Sequence, residues 1–140
     1  MKIINPATEE IICDLKEDTK ESVQQKFQLL RSSQPLWKDV NLSERVKIIR
    51  KYSDLLKENI EPLAAILTSE VGKPLQQSRN EVNGAQTRIK WLVDNAEKYL
   101  SDEVMTREEN LTERISYEPL GVICNISAWN YPYLVGVNVF

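Results

Sequence analysis

Histidine is absent from the 140 residues, so no imidazole serves as metal ligand or general base anywhere in the chain. Cysteine is scarce. Cys13 and Cys124 stand far apart, too few to read as a disulfide framework, and a reducing cytoplasmic setting is the expectation. A cationic excess is also missing: 18 Lys and Arg stand against 21 Asp and Glu, a net charge of −3. Nucleic acid is therefore not expected as a main partner, because phosphate binding needs a clustered basic surface. No apolar run approaches the roughly 18 residues needed to span a bilayer. The opening MKIINPATEE places Asn and Pro where a signal peptide would carry its apolar core. No membrane partner and no metal site are expected, and the chain has neither an internal repeat nor a low-complexity tract.

What is present is the composition of an ordinary globular protein, 41% hydrophobic and 28% charged. The length suits one domain with a real core. Asn5-Pro6 is turn chemistry, and residues 9–15 read as a short strand through Ile11, Ile12 and Leu15. Asp18 with Glu21 three positions on has the spacing of a capping box. Val23, Phe27 and Leu30 then repeat at helical spacing, and the 32–35 stretch ends that helix at Pro35. Ser43 opens a second helix with Val46, Ile49, Leu55 and Leu56 as its apolar stripe. Asn59 caps a third, lined by Leu63, Ile66, Leu67 and Val71 and stopped by Gly72. Pro74 suits the start of a fourth, where Val82, Ala85, Ile89, Leu92, Ala96 and Tyr99 form a long amphipathic stripe.

The texture changes after Ser101. Residues 102–117 read as two extended arms around a polar turn. Residues 122–126, Val-Ile-Cys-Asn-Ile, have the β-branched, apolar character of a strand buried on both faces, with Cys124 as a small buried residue. Residues 127–132 read as a loop, and residues 134–140 as the opening of a further helix. Two architectures fit this pattern: helices packed on a parallel sheet that lies mostly outside the chain, or a self-sufficient helical bundle.

Five segments, in order, resemble the aldehyde dehydrogenase family. They are Ile4-Asn5-Pro6-Ala7-Thr8; Trp37 with Ser43-Glu44-Arg45; Glu70-Val71-Gly72-Lys73-Pro74 with Glu81-Val82; Glu118-Pro119-Leu120-Gly121-Val122; and Trp129-Asn130-Tyr131-Pro132. The resemblance implies an α/β fold in which residues 1–140 are the N-terminal portion of a Rossmann-type NAD(P)-binding domain, helix-rich, with 102–117 as an extended oligomerisation hairpin and the catalytic domain outside the chain. It implies a homo-oligomer that uses NAD or NADP to oxidise a small aldehyde to its carboxylic acid through a cysteine thiohemiacetal. The 72–82 stretch is most similar to bacterial succinate-semialdehyde dehydrogenases.

Carried over residue by residue, the resemblance makes Asn130 the catalytic side-chain donor to the oxyanion. Ile126, Ser127 and Trp129 would border the cofactor, and Tyr131 would line the substrate tunnel. Asn130 suits that role, since a carboxamide donates hydrogen bonds without a titratable charge. A loop asparagine more often satisfies nearby backbone. Residues 70–74 and 118–121 read as structural turns. The family usually has proline where this chain has Ala128, which leaves the loop freer. The family's cofactor-phosphate lysine, glycine motif, glutamate base and cysteine nucleophile would all lie beyond Phe140, so the chain alone is expected to be inactive. The alternative from another class is a non-catalytic helical interaction module derived from the same N-terminal region, whose extended arms would add to a partner's sheet edge.

Overall fold

The computed structural model describes residues 1–139. Its elements run β1 (Lys2–Ile4), β2 (Ile11–Asp14), α1 (Lys20–Lys38), α2 (Leu42–Glu58), α3 (Ile60–Val71), α4 (Leu75–Leu100), β3 (Glu103–Arg107), β4 (Thr112–Ile115) and α5 (Pro132–Gly136). The strands form two separate antiparallel pairs, β1 with β2 and β3 with β4. Asn5 starts the turn between the first two: its Oδ1 accepts from the Ala7 N–H at 2.9 Å, the local bond that suits Asn to turns.

Helix α4 organises the rest. Its Val82, Ala85 and Ile89 are buried together with Leu56 of α2 and Val137 just after α5, and Ile49, Tyr52, Ile60, Leu63, Val93 and Tyr133 pack around them. The expected stripe is thus the core for its first three residues. Leu92 and Ala96 are half-buried. Tyr99 is exposed and stacks on Trp91, centroids 6.1 Å apart. Helix α3 turns Ala64 and Leu67 inward, while Ile66 faces out. The buried Ser78 hydroxyl meets the Thr68 hydroxyl at 2.9 Å and fastens α3 to α4. Arg50 donates to Asp94 at 2.7 Å across α2 and α4.

Several boundaries differ from the sequence reading, each for a local reason. Thr19, not Asp18, caps α1. Ser22 N–H donates to Thr19 Oγ1 and Thr19 N–H to Ser22 Oγ, so the reciprocal box closes one residue later and through serine. Asp18 instead pairs with Lys26 at 2.6 Å. Helix α1 runs through Pro35 to Lys38. Proline removes only the bond its own N–H would make, and the turn resumes as Asp39 N–H donates to the Pro35 carbonyl. Asn41 precedes α2 in place of Ser43, and Asn59 precedes α3 without a side-chain cap. The Asn59 carboxamide donates back to the Leu55 carbonyl at 2.8 Å, closing α2 rather than opening α3.

Gly72 ends α3 in the left-handed region, φ 71°. A Cβ there would meet Pro6 Cγ at 3.2 Å, so the chain's opening turn rests on this glycine. Gly72→Ala is expected to destabilise the fold by about 1–2 kcal/mol, the strain of an L-residue in that region, read as a lower denaturation midpoint.

The arms at 102–117 do form an antiparallel hairpin, pairing Glu103 with Ile115 and Arg107 with Thr112. Its register shifts between Val104 and Thr106, and nearly every residue in it is exposed. The strand expected at 122–126 does not form. Among the described residues no strand lies beside it. A strand's N–H and C=O groups need such a neighbour, and the segment is irregular with Ile123, Cys124 and Ile126 exposed. Cys124 is therefore not the buried residue its setting suggests. The helix expected from Leu134 starts two residues earlier, with Pro132 in its first turn as proline's fixed φ favours, and ends at Gly136. Phe140 lies outside the described residues.

Candidate functional site

The residues singled out from the sequence fall on one stretch that leads into α5. Two side chains staple that stretch to the helix. Asn125 donates to the Gly136 carbonyl at 3.0 Å, and Ser127 Oγ donates to the Pro132 carbonyl at 2.8 Å. The Ser127 hydroxyl is thus engaged within the loop, leaving its main chain as the part that could border a ligand. Ala128 sits at a turn, its carbonyl accepting from Tyr131 N–H at 3.2 Å. Ile126 and Trp129 point outward, 90% and 75% exposed.

Asn130 is split between two roles. Its main-chain carbonyl accepts from Lys73 Nζ at 2.5 Å. Its carboxamide is exposed and makes no hydrogen bond among the described residues. The ordinary fate of a loop asparagine, a side chain tied to nearby backbone, is therefore not what happens here. Tyr131 is exposed on one side and covered on the other by Lys73, whose ammonium sits 3.6 Å from the ring centroid, within cation–π range.

Beneath the loop lies a charge pair that the sequence reading treated only as turn and helix. Lys73, directly after the Gly72 stop, forms an ion pair with Glu81 on α4, with side chains 9% and 0% exposed. A second Glu81 oxygen, Oε1, accepts from Tyr133 N–H at 2.9 Å and from Leu134 N–H at 3.4 Å. These are first-turn donors of α5, whose N-cap residue Tyr131 supplies no side-chain bond, and helix-start N–H groups need an acceptor. Glu81 thus caps α5 from another helix. The sequence did carry a signal: Glu81 is four residues before Ala85 and next to Val82, on the apolar stripe, where a lone carboxylate is almost never buried unpaired. Tyr133 packs beside this pair. Burial, followed by the nearby Glu70 and Glu81 carboxylates, pushes its phenol above the usual range and keeps it neutral.

As a surface, this stretch offers one exposed amide, the exposed apolar side chains of Ile126 and Trp129, and the edge of Tyr131. The exposed side chains of Ile126 and Trp129 leave room for a flat apolar ligand face. Among the described residues on this stretch, no cationic side chain is placed to hold a cofactor phosphate. No cluster of metal-ligating side chains occurs among the described residues.

Known proteins share both sequence and fold with this chain. The Aldehyde dehydrogenase family profile matches residues 1–139. Succinate semialdehyde dehydrogenase of Acinetobacter baylyi is 29% identical over 130 residues, covering 93% of this chain and 27% of that protein. A probable succinate-semialdehyde dehydrogenase [NADP(+)] of Synechocystis is 32% identical over 130 residues, with 93% and 28% covered. The structure of an NADP-dependent glyceraldehyde-3-phosphate dehydrogenase of Bacillus halodurans complexed with NADP superposes with a TM-score of 0.89 at 26% identity, covering 98% of this chain and 30% of that one. The chain therefore spans little more than a quarter of the length of the curated relatives it matches. The profile over its whole described length, the shared helical fold and the Trp129-Asn130-Tyr131-Pro132 loop agree: the chain belongs to the aldehyde dehydrogenase family.

Proposed function

We propose that this chain is the N-terminal part of an NAD(P)-dependent aldehyde dehydrogenase, with succinate semialdehyde as substrate, and that Asn130 is its oxyanion donor. The observation that carries the reading is the division at Asn130: main chain pinned, carboxamide exposed and unengaged. Attack of a thiolate on an aldehyde carbonyl moves the C=O electron pair onto oxygen. That oxyanion, in a site closed to water, needs a positioned donor. The Asn130 amide supplies N–H groups without a proton to lose. Main chain at Ile126 and Ser127 and the Trp129 ring form the wall against which the cofactor lies, and Tyr131 borders the aldehyde. When bound, NAD(P) supplies the hydride acceptor. The thiol and the base come from family positions outside these residues.

The named substrate of two relatives supports succinate semialdehyde. The exposed β3–β4 hairpin supports a homo-oligomer, since a lone two-stranded ribbon is marginal in water. No helix of the described residues is long and apolar enough to cross a membrane, and a cytoplasmic enzyme is the proposed setting.

Two preparations test this reading: the 140-residue chain, and a full-length enzyme carrying it. Absorbance at the reduced nicotinamide band should show no aldehyde-dependent signal from the chain alone, because a donor does not replace a covalent nucleophile. The full-length enzyme should give that signal, with kcat/KM higher for succinate semialdehyde than for butanal. Turnover by the chain alone would overturn the division of labour. Preference for butanal would overturn the substrate. Silence from the full-length enzyme would leave a non-catalytic interaction module as the reading.

A further inference from the structure

The loop that presents Asn130 is held on both sides by one buried pair. On one side Lys73 donates to the Asn130 carbonyl at 2.5 Å and covers the Tyr131 ring at 3.6 Å. On the other, Glu81 accepts the Tyr133 N–H at 2.9 Å and the Leu134 N–H at 3.4 Å. Lys73 belongs to the turn between α3 and α4, and Glu81 to α4 itself. Neither residue is near Asn130 in sequence.

We infer that Lys73 and Glu81 are positioning residues for Asn130: the pair transfers the rigidity of the α3–α4 core to a loop that lacks its own cap, and so aims the carboxamide. This rests on the oxyanion role of Asn130 for its catalytic consequence, but the positioning itself does not. Each member needs the other. Glu81 is fully buried and Lys73 nearly so, and neither charge stays in such a place unpaired. Lys73 donates to a carbonyl and Glu81 accepts from N–H groups, so the pair serves both polarities of the loop's backbone at once. A hydrophobic contact could not do that.

The test has two arms, with Lys73→Met, Glu81→Gln and Lys73→Arg. In the 140-residue chain, amide hydrogen exchange in Lys73→Met should accelerate at Tyr131, Tyr133 and Leu134 at least tenfold more than at Ala85 and Ile89, whose acceleration reports the global loss of stability. Lys73→Arg, which retains the charge, should restore part of the protection. Equal acceleration through Ala85 and Ile89, or a parent chain with no protection at Tyr133 and Leu134, would overturn the proposal. In the full-length enzyme, Lys73→Met should lower kcat at least tenfold, since misplacing a catalytic group by about 1 Å can cost about a hundredfold, with KM for the cofactor little changed. In an Asn130→Ala background the same change should cost less than about threefold, because residues acting through one group are not additive. Multiplying effects would overturn the coupling. If Lys73→Met fails to fold, Glu81→Gln takes its place in both arms: it keeps an amide oxygen for Tyr133 N–H but removes the counter-charge of Lys73, so the excess acceleration is then read at Tyr131. Should Asn130→Ala leave turnover intact while the exchange result holds, the oxyanion role falls and the positioning stands.

Discussion

Asn130→Ala in a full-length enzyme carrying this chain is expected to lower turnover by about a hundredfold to a thousandfold, the usual effect of removing one oxyanion donor. The melting temperature and the NAD(P) dissociation constant should stay near those of the parent. The reason is where the amide is tied. Asn130 is held by its main-chain carbonyl, through Lys73, and not by its side chain. Truncating the side chain therefore breaks no bond of the described structure. The loop should keep its course, with Tyr131 N–H on Ala128 and Glu81 on the start of α5. On the proposed donor role, what is lost is an N–H for an oxygen that carries full negative charge only after attack, so the effect falls on the transition state and not on ground-state binding. Thermal unfolding, cofactor titration and the pre-steady-state hydride burst separate the outcomes. A collapsed burst with normal melting and affinity supports the donor role. Early melting with a normal burst would make Asn130 a loop residue and nothing more.

Lys73→Met is expected to destabilise the fold by about 3–5 kcal/mol, the range seen when one partner of a buried pair is removed. Methionine fills much of the lysine stem's volume, so the change is chiefly electrical. It leaves Glu81, whose side chain is wholly buried, without its counter-charge at the junction of α3, α4 and α5. It also removes the donor to the Asn130 carbonyl and the cation over Tyr131. Chemical denaturation should show the midpoint falling with little change in slope. The contrast with the surface pairs is sharp. Lys47–Glu44 and Lys26–Asp18 are no longer than 2.6 Å, yet both partners of each are about half exposed or more, and water screens them. Replacing Lys26 or Lys47 by methionine should leave the midpoint nearly unchanged. Equal effects at Lys73 and Lys26 would show that burial does not set the value of the pair.

The four helices were legible because their signals are local. The repeat of Val82, Ala85 and Ile89 is a property of α4 alone, and Gly72 stops α3 through its own backbone freedom, φ 71°. The hairpin at 103–115 was legible for the same reason. Boundaries slipped where two local devices compete. Asp18, Thr19 and Ser22 are all able to cap, and the reciprocal Thr19–Ser22 pair wins while Asp18 turns to Lys26. Asn59 reads as a helix start, but its carboxamide closes the preceding helix. The run at 122–126 was misread because a strand is a relation between segments: β-branched composition is compatible with a strand and does not supply the neighbour that would complete it.

By itself, the sequence determined the helical order, the Gly72 stop, the Trp129-Asn130-Tyr131-Pro132 loop and, through five ordered segments, membership of the aldehyde dehydrogenase family. Only the tertiary structure decided what holds Asn130. Lys73 and Glu81 lie 57 and about 50 residues from the loop they grip. Periodicity and capping rules reach a few residues along the chain. The pairing of a buried ammonium with a buried carboxylate, and of both with the loop backbone, exists only once α3, α4 and α5 have closed around them and excluded water.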